Sequence, residues 1–276
     1  MRARGGKRGK VPGTSKAAGK MPGRKPAMPA KKNKTAKAAR LTGSMAERAT
    51  VVAKGPAKRK TGRPGLAPAA ERIGPIIERL QERYPDAKCS LDHRDPLQLL
   101  VATILSAQCT DVRVNLVTPD LFRKYRTADA YATADPAVFE AEIRSTGFFR
   151  NKTKSVIGMA QELVERFAGR VPDAMDDLTS LPGVGRKTAN VVLGNAFGKD
   201  EGIVVDTHVA RITKLLGLTG QTDPEKIEDD LMRVVPKQRW TLFPHLLIHH
   251  GRTVCVARRP RCGECPVTDL CPSAEV

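Results

Sequence analysis

Leu181-Pro182-Gly183-Val184-Gly185-Arg186-Lys187 decides how this chain is read. It is a short apolar, glycine-rich turn that runs directly into a helical segment, and a lysine falls in that helix's first turn. Gly183 and Gly185 permit backbone conformations that other residues resist. Consecutive amide N–H groups ahead of a helix N-terminus make an anion site, which suits a DNA phosphate. Turns of this kind also join helices for packing alone. The residues that follow, Arg186, Lys187, Thr188, Ala189 and Asn190, make the stretch more specific. The first turn of a helix disfavours a cation because the macrodipole is positive there, and Arg186 adds like charge. Both effects favour a neutral amine on Lys187, and a neutral amine is a nucleophile.

Working outward, an extended apolar run, Ile203-Val204-Val205, leads to Asp206 within Val205-Asp206-Thr207-His208. Asp206 reads as the N-cap of a helix starting near Thr207. It also reads as a carboxylate able to deprotonate Lys187 or to stabilise positive charge on a sugar. His208 beside it reads as a polar residue packing near a helix start, and His249 and His250 as structural.

Four cysteines close the chain. Cys255, Cys262, Cys265 and Cys271 follow the spacing C-x6-C-x2-C-x5-C, which implies a compact metal loop. Zinc suits four thiolates, although structural zinc sites more often show two short spacings and this pattern has one. The spacing leans toward a [4Fe–4S] cluster. Arg258, Arg259 and Arg261 lie between the first two cysteines, where they would either contact phosphates or form a solvated charge cluster. Cys89 and Cys109 have no local partners and read as core residues.

Charge divides the chain in two. The net charge is +19 over 276 residues. Residues 1–66 hold 20 of the 48 basic residues and only one of the 29 acids, Glu47, so the remainder is neutral by count. This Lys-, Ala-, Gly- and Pro-rich segment lacks the apolar surface to offset chain entropy and is expected to be a disordered basic tail. It would serve as a non-specific tether to DNA, or be merely a solvated tail, or a start placed ahead of Met45. No apolar core of a secretory signal follows the basic residues. The scarcity of acids leaves organelle targeting open, but the proline-broken pattern makes a poor amphipathic helix. No apolar run is long enough to span a membrane.

From about Ala67 helical periodicity dominates. Ile76, Ile77, Leu80 and Tyr84 share one face of a first helix. Further helices are expected at Pro96–Ala107, Asn115–Tyr125, Pro136–Ser145, Lys154–Phe167, Asp173–Ser180, Lys187–Phe197, Thr207–Leu216, Pro224–Val235 and Arg239–Gly251. No alternating run of any length appears, so the body is expected to be all-α with short connections.

Together these stretches closely resemble the endonuclease III family of DNA glycosylases over roughly residues 70–272. The resemblance rests on ILSAQCTDVRVN (104–115), GFFRNKTKSV (147–156), LPGVGRKTANVVLGNAFG (181–198), VDTHVAR (205–211) and HGRTVCVARRPRCGECPVTDLC (250–271). It implies the helix–hairpin–helix glycosylase fold: a six-helix domain over residues 91–198, and a discontinuous helical domain made of 67–90 and 199–276 that holds a [4Fe–4S] cluster. A DNA cleft would lie between them, with Lys187 on one side and Asp206 on the other. The gap left by an extruded base would be filled by Gln108 and by Phe148, a position where the family often has Leu. Gly183, Gly185, Arg186, Arg258, Arg259 and Arg261 would touch DNA. The implied activity is bifunctional, removing damaged pyrimidines from duplex DNA and cutting the strand by β-elimination, in a monomer free in the cytoplasm and associated with the nucleoid. The adenine–mismatch branch typically has Ser or Tyr at the Lys187 position and a Glu in the stretch that is here Thr103–Gln108, which contains none. A thymine-mismatch glycosylase of the same superfamily, or a non-enzymatic helix–hairpin–helix binding module, stands as the alternative; a binding module needs neither Lys187 nor Asp206.

Overall fold

Three helix starts share one device, an Asp–Pro pair. Asp95, Asp135 and Asp223 each accept hydrogen bonds from amides of the first turn (Gln98 N to Asp95 Oδ1, 2.8 Å), and Pro96, Pro136 and Pro224 occupy the first helical position, where no N–H is needed. The computed structural model describes residues 65–275. The expectation of a disordered tail over residues 1–66 lies outside them, apart from Gly65 and Leu66.

Eleven helices follow among the described residues: α1 (Ala69–Arg83), α2 (Pro96–Leu105), α3 (Asp111–Lys124), α4 (Ala128–Ala132), α5 (Pro136–Ile143), α6 (Phe149–Phe167), α7 (Met175–Thr179), α8 (Arg186–Phe197), α9 (Thr207–Leu215), α10 (Pro224–Val234) and α11 (Leu242–Thr253). Single 3-10 turns follow α5 (Arg144–Thr146), precede α11 (Lys237–Arg239) and punctuate the cysteine loop. No β-strand occurs among these residues, so the all-α expectation holds. No described helix is long and apolar enough to cross a membrane.

Several boundaries shift. α3 begins at Asp111 rather than Asn115 and continues through Pro119. Its first turn is capped by Thr110 yet carries Val112 outward at 72% exposure, so hydrophobic periodicity does not reveal it. α4 lies outside the expected helices because five residues make barely one turn; Thr127 caps it, and Ala128 and Tyr131 bury it. α6 starts at Phe149, five residues before the expected start.

The buried side chains form two clusters. One gathers residues between Leu91 and Leu193, with Leu99, Leu100, Tyr131, Phe139, Met159, Leu163 and Leu178 at its centre. The other joins α1 (Ile73, Ile76, Ile77, Leu80) to the chain after residue 202 (Ile203, Ile212, Leu231, Phe243, Leu246). Arg72 staples this second cluster. It is 6% exposed, and its guanidinium donates to the carbonyls of Ala67, Leu216 and Leu270 at 2.6–2.9 Å. Arg79 adds an ion pair to Asp269 at 2.6 Å. α1 is thereby fixed to residues almost two hundred positions away.

Candidate active site and cysteine loop

The helix–hairpin–helix is built from α7, the turn Leu181–Gly185 and α8. Val184 N donates to Leu181 O at 3.1 Å, Pro182 sits at the second position and Gly183 has φ +77°, which together define a type II turn. Gly183 is required twice over. Its positive φ disfavours a side chain, and a Cβ there would fall 2.5 Å from Ser155 Cβ on α6. Val184 is buried and anchors the turn, whereas Gly183 and Gly185 face solvent. The amides of Gly183, Gly185, Arg186 and Lys187 have no protein acceptor among the described residues, and Gly185 caps α8 without a side chain. This is the donor set an anion needs.

Lys187 is exposed on the first turn of α8, and no described carboxylate pairs with it. Arg186 is engaged otherwise. Its Nε and Nη2 clasp the Glu228 carboxylate of α10 at 3.0–3.2 Å, and Asn190 Nδ2 donates to the same carboxylate at 2.9 Å. Glu228 is 6% exposed, and a Cβ on Gly202 would fall 2.1 Å from its Oε1. Residues 186 and 190, one helical turn apart on α8, therefore bind α8 to α10 beneath the Gly198–Val205 connection. Periodicity had no means of finding Glu228, because an acidic residue on an amphipathic helix reads as solvent-facing.

Asp206 caps α9, its Oδ1 accepting from Val209 N at 2.8 Å. The carboxylate is half-buried, and its second oxygen has no protein partner among the described residues. His208 packs its buried Nδ1 against Gly251, consistent with a structural part.

Gln108 and Phe148 are both exposed, Phe148 at 60%, and both hold positive φ, at 54° and 48°. Gln108 lies in the turn between α2 and α3, and Phe148 stands immediately ahead of α6. The head of α3 is tied to α11 by Asp111, which accepts from Arg252 Nη2 at 2.8 Å.

Cys255, Cys262, Cys265 and Cys271 all line one cavity of about 450 Å³, together with Arg211, Leu215, His250, Val254 and Val267. Four thiolates around one zinc ion would all lie within roughly 5 Å of each other. Among the described residues no three Cys, His, Asp or Glu side chains converge closely enough to hold a single ion. Four thiols lining one cavity of this size leave room for a polynuclear cluster. The surrounding donors fit it too: Arg211 Nη1 lies 3.7 Å from Cys255 Sγ while its Nη2 donates to Cys255 O at 2.7 Å, and His250 Nε2 lies 3.4 Å from Cys265 Sγ. Burial pushes the Cys265 thiol up to about 11 and raises that of Cys271, so thiolates there need metal charge to compensate them. Arg258 and Arg259 are exposed on the loop, while Arg261 pairs with Glu264 at 3.1 Å and donates to Thr253 O.

These features define a helix–hairpin–helix protein of the base-excision class. Residues 101–237 match the HhH-GPD superfamily base excision DNA repair protein model, and residues 255–271 match the iron–sulfur binding domain of endonuclease III. Endonuclease III of Synechocystis sp. is 54% identical over 210 residues, covering 76% of this chain and 96% of that protein. Endonuclease III of Bacillus subtilis is 44% identical, covering 71% and 89%. A solved non-covalent endonuclease III–DNA complex superposes with a TM-score of 0.70 at 42% identity, covering 74% of this chain and 96% of that one. The chain belongs to the endonuclease III family, and its cofactor is a [4Fe–4S] cluster.

Proposed function

We propose that Lys187 is the nucleophile and Asp206 its carboxylate partner in a DNA glycosylase and abasic-site lyase acting on duplex DNA. The activity class is that of the family to which the chain belongs, and a solved endonuclease III has been trapped as a covalent intermediate on DNA. The observation that carries the residue assignment is the position of Lys187: an exposed amine with no carboxylate partner among the described residues, on the turn of α8 that carries the free amides of the hairpin. A phosphate held by the Gly183 and Gly185 amides places the sugar of a neighbouring flipped nucleotide beside Lys187 Nζ.

The steps follow from that placement. A damaged pyrimidine leaves the stack at lower cost than an intact one. Nζ bonds to C1′ as the C1′–base bond breaks, and the base departs with the bonding electrons and takes up a proton. The free oxygen of Asp206 stabilises the positive charge developing on the sugar and receives the proton released by the amine. Opening of the sugar gives a Schiff base, which acidifies C2′. Loss of a C2′ proton expels the 3′ phosphate oxygen and cuts the strand; water then releases Lys187.

The supporting parts are assigned as follows. Residues 91–198 form one domain, and residues 67–90 with 199–276 form the other, with the DNA cleft between them. Gln108 and Phe148 fill the space left by the extruded nucleotide. Cys255, Cys262, Cys265 and Cys271 ligate the cluster, which holds Arg258 and Arg259 on a rigid loop for phosphate contact. Arg186, committed to Glu228, braces the site from behind. The enzyme acts as a monomer in the compartment that holds the chromosome. Borohydride trapping on duplexes bearing an oxidised pyrimidine tests the core of the proposal. Lys187→Gln abolishes the trapped adduct; an undiminished adduct refutes the nucleophile assignment.

A further inference from the structure

Three residues other than glycine hold positive φ among the described residues: Gln108, Phe148 and Ala168. Ala168 is the left-handed cap that ends α6, an ordinary helix terminus. The other two have no such excuse, and strained backbone persists only where the surroundings impose it.

The surroundings share one side chain. Lys152 on α6 is 4% exposed, and its Nζ donates to Leu105 O at 2.7 Å and to Thr146 O at 2.8 Å. Leu105 is the last residue of α2, three positions before Gln108. Thr146 is the last residue of the 3-10 turn, two positions before Phe148. One amine therefore closes two helical C-termini, where carbonyls and dipole both favour a cation. No described carboxylate pairs with it, so the two carbonyls are its polar anchorage. Burial lowers its pKa, but the neutral amine still carries two N–H groups for the two carbonyls. Thr146 is itself buried and folds its hydroxyl onto Ile143 O, which leaves the carbonyl aimed at Lys152.

We infer that Lys152 is a positioning residue that clamps the Gln108 turn to the Phe148 turn, presenting both side chains to DNA as one unit. The functional half of this inference rests on the proposed space-filling role of Gln108 and Phe148. The clamp predicts that loosening one turn loosens the other, and that the loss is felt only where a gap in a duplex has to be filled.

Two readouts on the holoenzyme separate the clamp from a merely structural lysine. In Lys152→Met, or in Lys152→Gln should the first variant not fold, amide hydrogen exchange accelerates together in residues 106–110 and 146–149 while α8 and α9 keep their protection. The ratio of activity on a damaged duplex to strand cleavage on single-stranded abasic DNA falls roughly tenfold or more, as expected for losing hydrogen bonds from a buried donor. Exchange that rises in only one turn, or in neither, overturns the clamp. Equal losses on the two substrates reduce Lys152 to a folding residue and overturn it as well. Gln108→Ala and Phe148→Ala test the reading beneath: each lowers the same ratio. If they do not while exchange in Lys152→Met rises in both turns, the space-filling role fails and the physical coupling of the turns stands.

Discussion

Asp206 Oδ1 accepts the Val209 amide at 2.8 Å, so one carboxylate oxygen begins α9 while the other is left for chemistry. The two duties separate by substitution. Asparagine caps a helix about as well as aspartate but carries no charge. Asp206→Asn is expected to keep its unfolding free energy within about 0.5 kcal/mol of the parent, by urea denaturation, and to lose roughly a hundredfold or more in single-turnover glycosylase rate. Asp206→Ala loses the same activity and an additional stability of about 1 kcal/mol. A stable Asp206→Asn enzyme with full activity would confine Asp206 to capping.

The hairpin turn offers a sharper steric test. Gly183→Ala introduces a Cβ 2.5 Å from Ser155 Cβ at φ +77°. The left-handed backbone alone costs roughly 1–2 kcal/mol, and the overlap adds about as much again. Gly183→Ala combined with Ser155→Gly removes the overlap but not the backbone penalty, and is expected to recover about half of the lost stability. Affinity for duplex DNA falls in both variants, because the turn can no longer aim its amides.

A buried imidazole is expected to make the fold sensitive to acid. His245 on α11 pairs its Nε2 with Asn195 Oδ1 at 2.9 Å, and burial pulls its pKa down to about 4. In the unfolded chain the same imidazole titrates near 6.5, so the unfolded state binds the extra proton first. Stability is unaffected by this group above about pH 6.5 and declines as pH falls from there toward 4, by about 3 kcal/mol at most. Denaturation at pH 7 and pH 4.5 should show a smaller difference in His245→Gln than in the parent. An unchanged difference would assign the acid limb to other groups.

The parts most legible in the sequence were those whose chemistry is local. Gly183 and Gly185 declare a turn, Asp206 declares a cap, and four cysteines within seventeen residues declare a metal loop. The residues that hold these parts together were not legible. Glu228 and Lys152 are charged, and on helices with mixed faces a charge reads as a solvent contact; both are buried because partners from distant segments meet them. Arg186 reads as a residue that touches DNA, and its pairing with Glu228 becomes visible only once α10 is in place. The first turn of α3 escapes the periodicity for the opposite reason: Val112, at 72% exposure, is an apolar residue without a core to face.

The stapling of α1 by Arg72 bears on how the chain is made. The buried residues from Leu91 to Leu193 meet one another within a single contiguous stretch, so their core can close while synthesis continues. Ile73, Ile76, Ile77 and Leu80 are translated earlier but must wait for Ile212, Leu231 and Phe243, and Arg72 for the Leu270 carbonyl. The earliest of the described helices to leave the ribosome is thus among the last to be covered. During that interval its apolar face is the surface most in need of a chaperone, and any chain broken off before Ile203 leaves it bare.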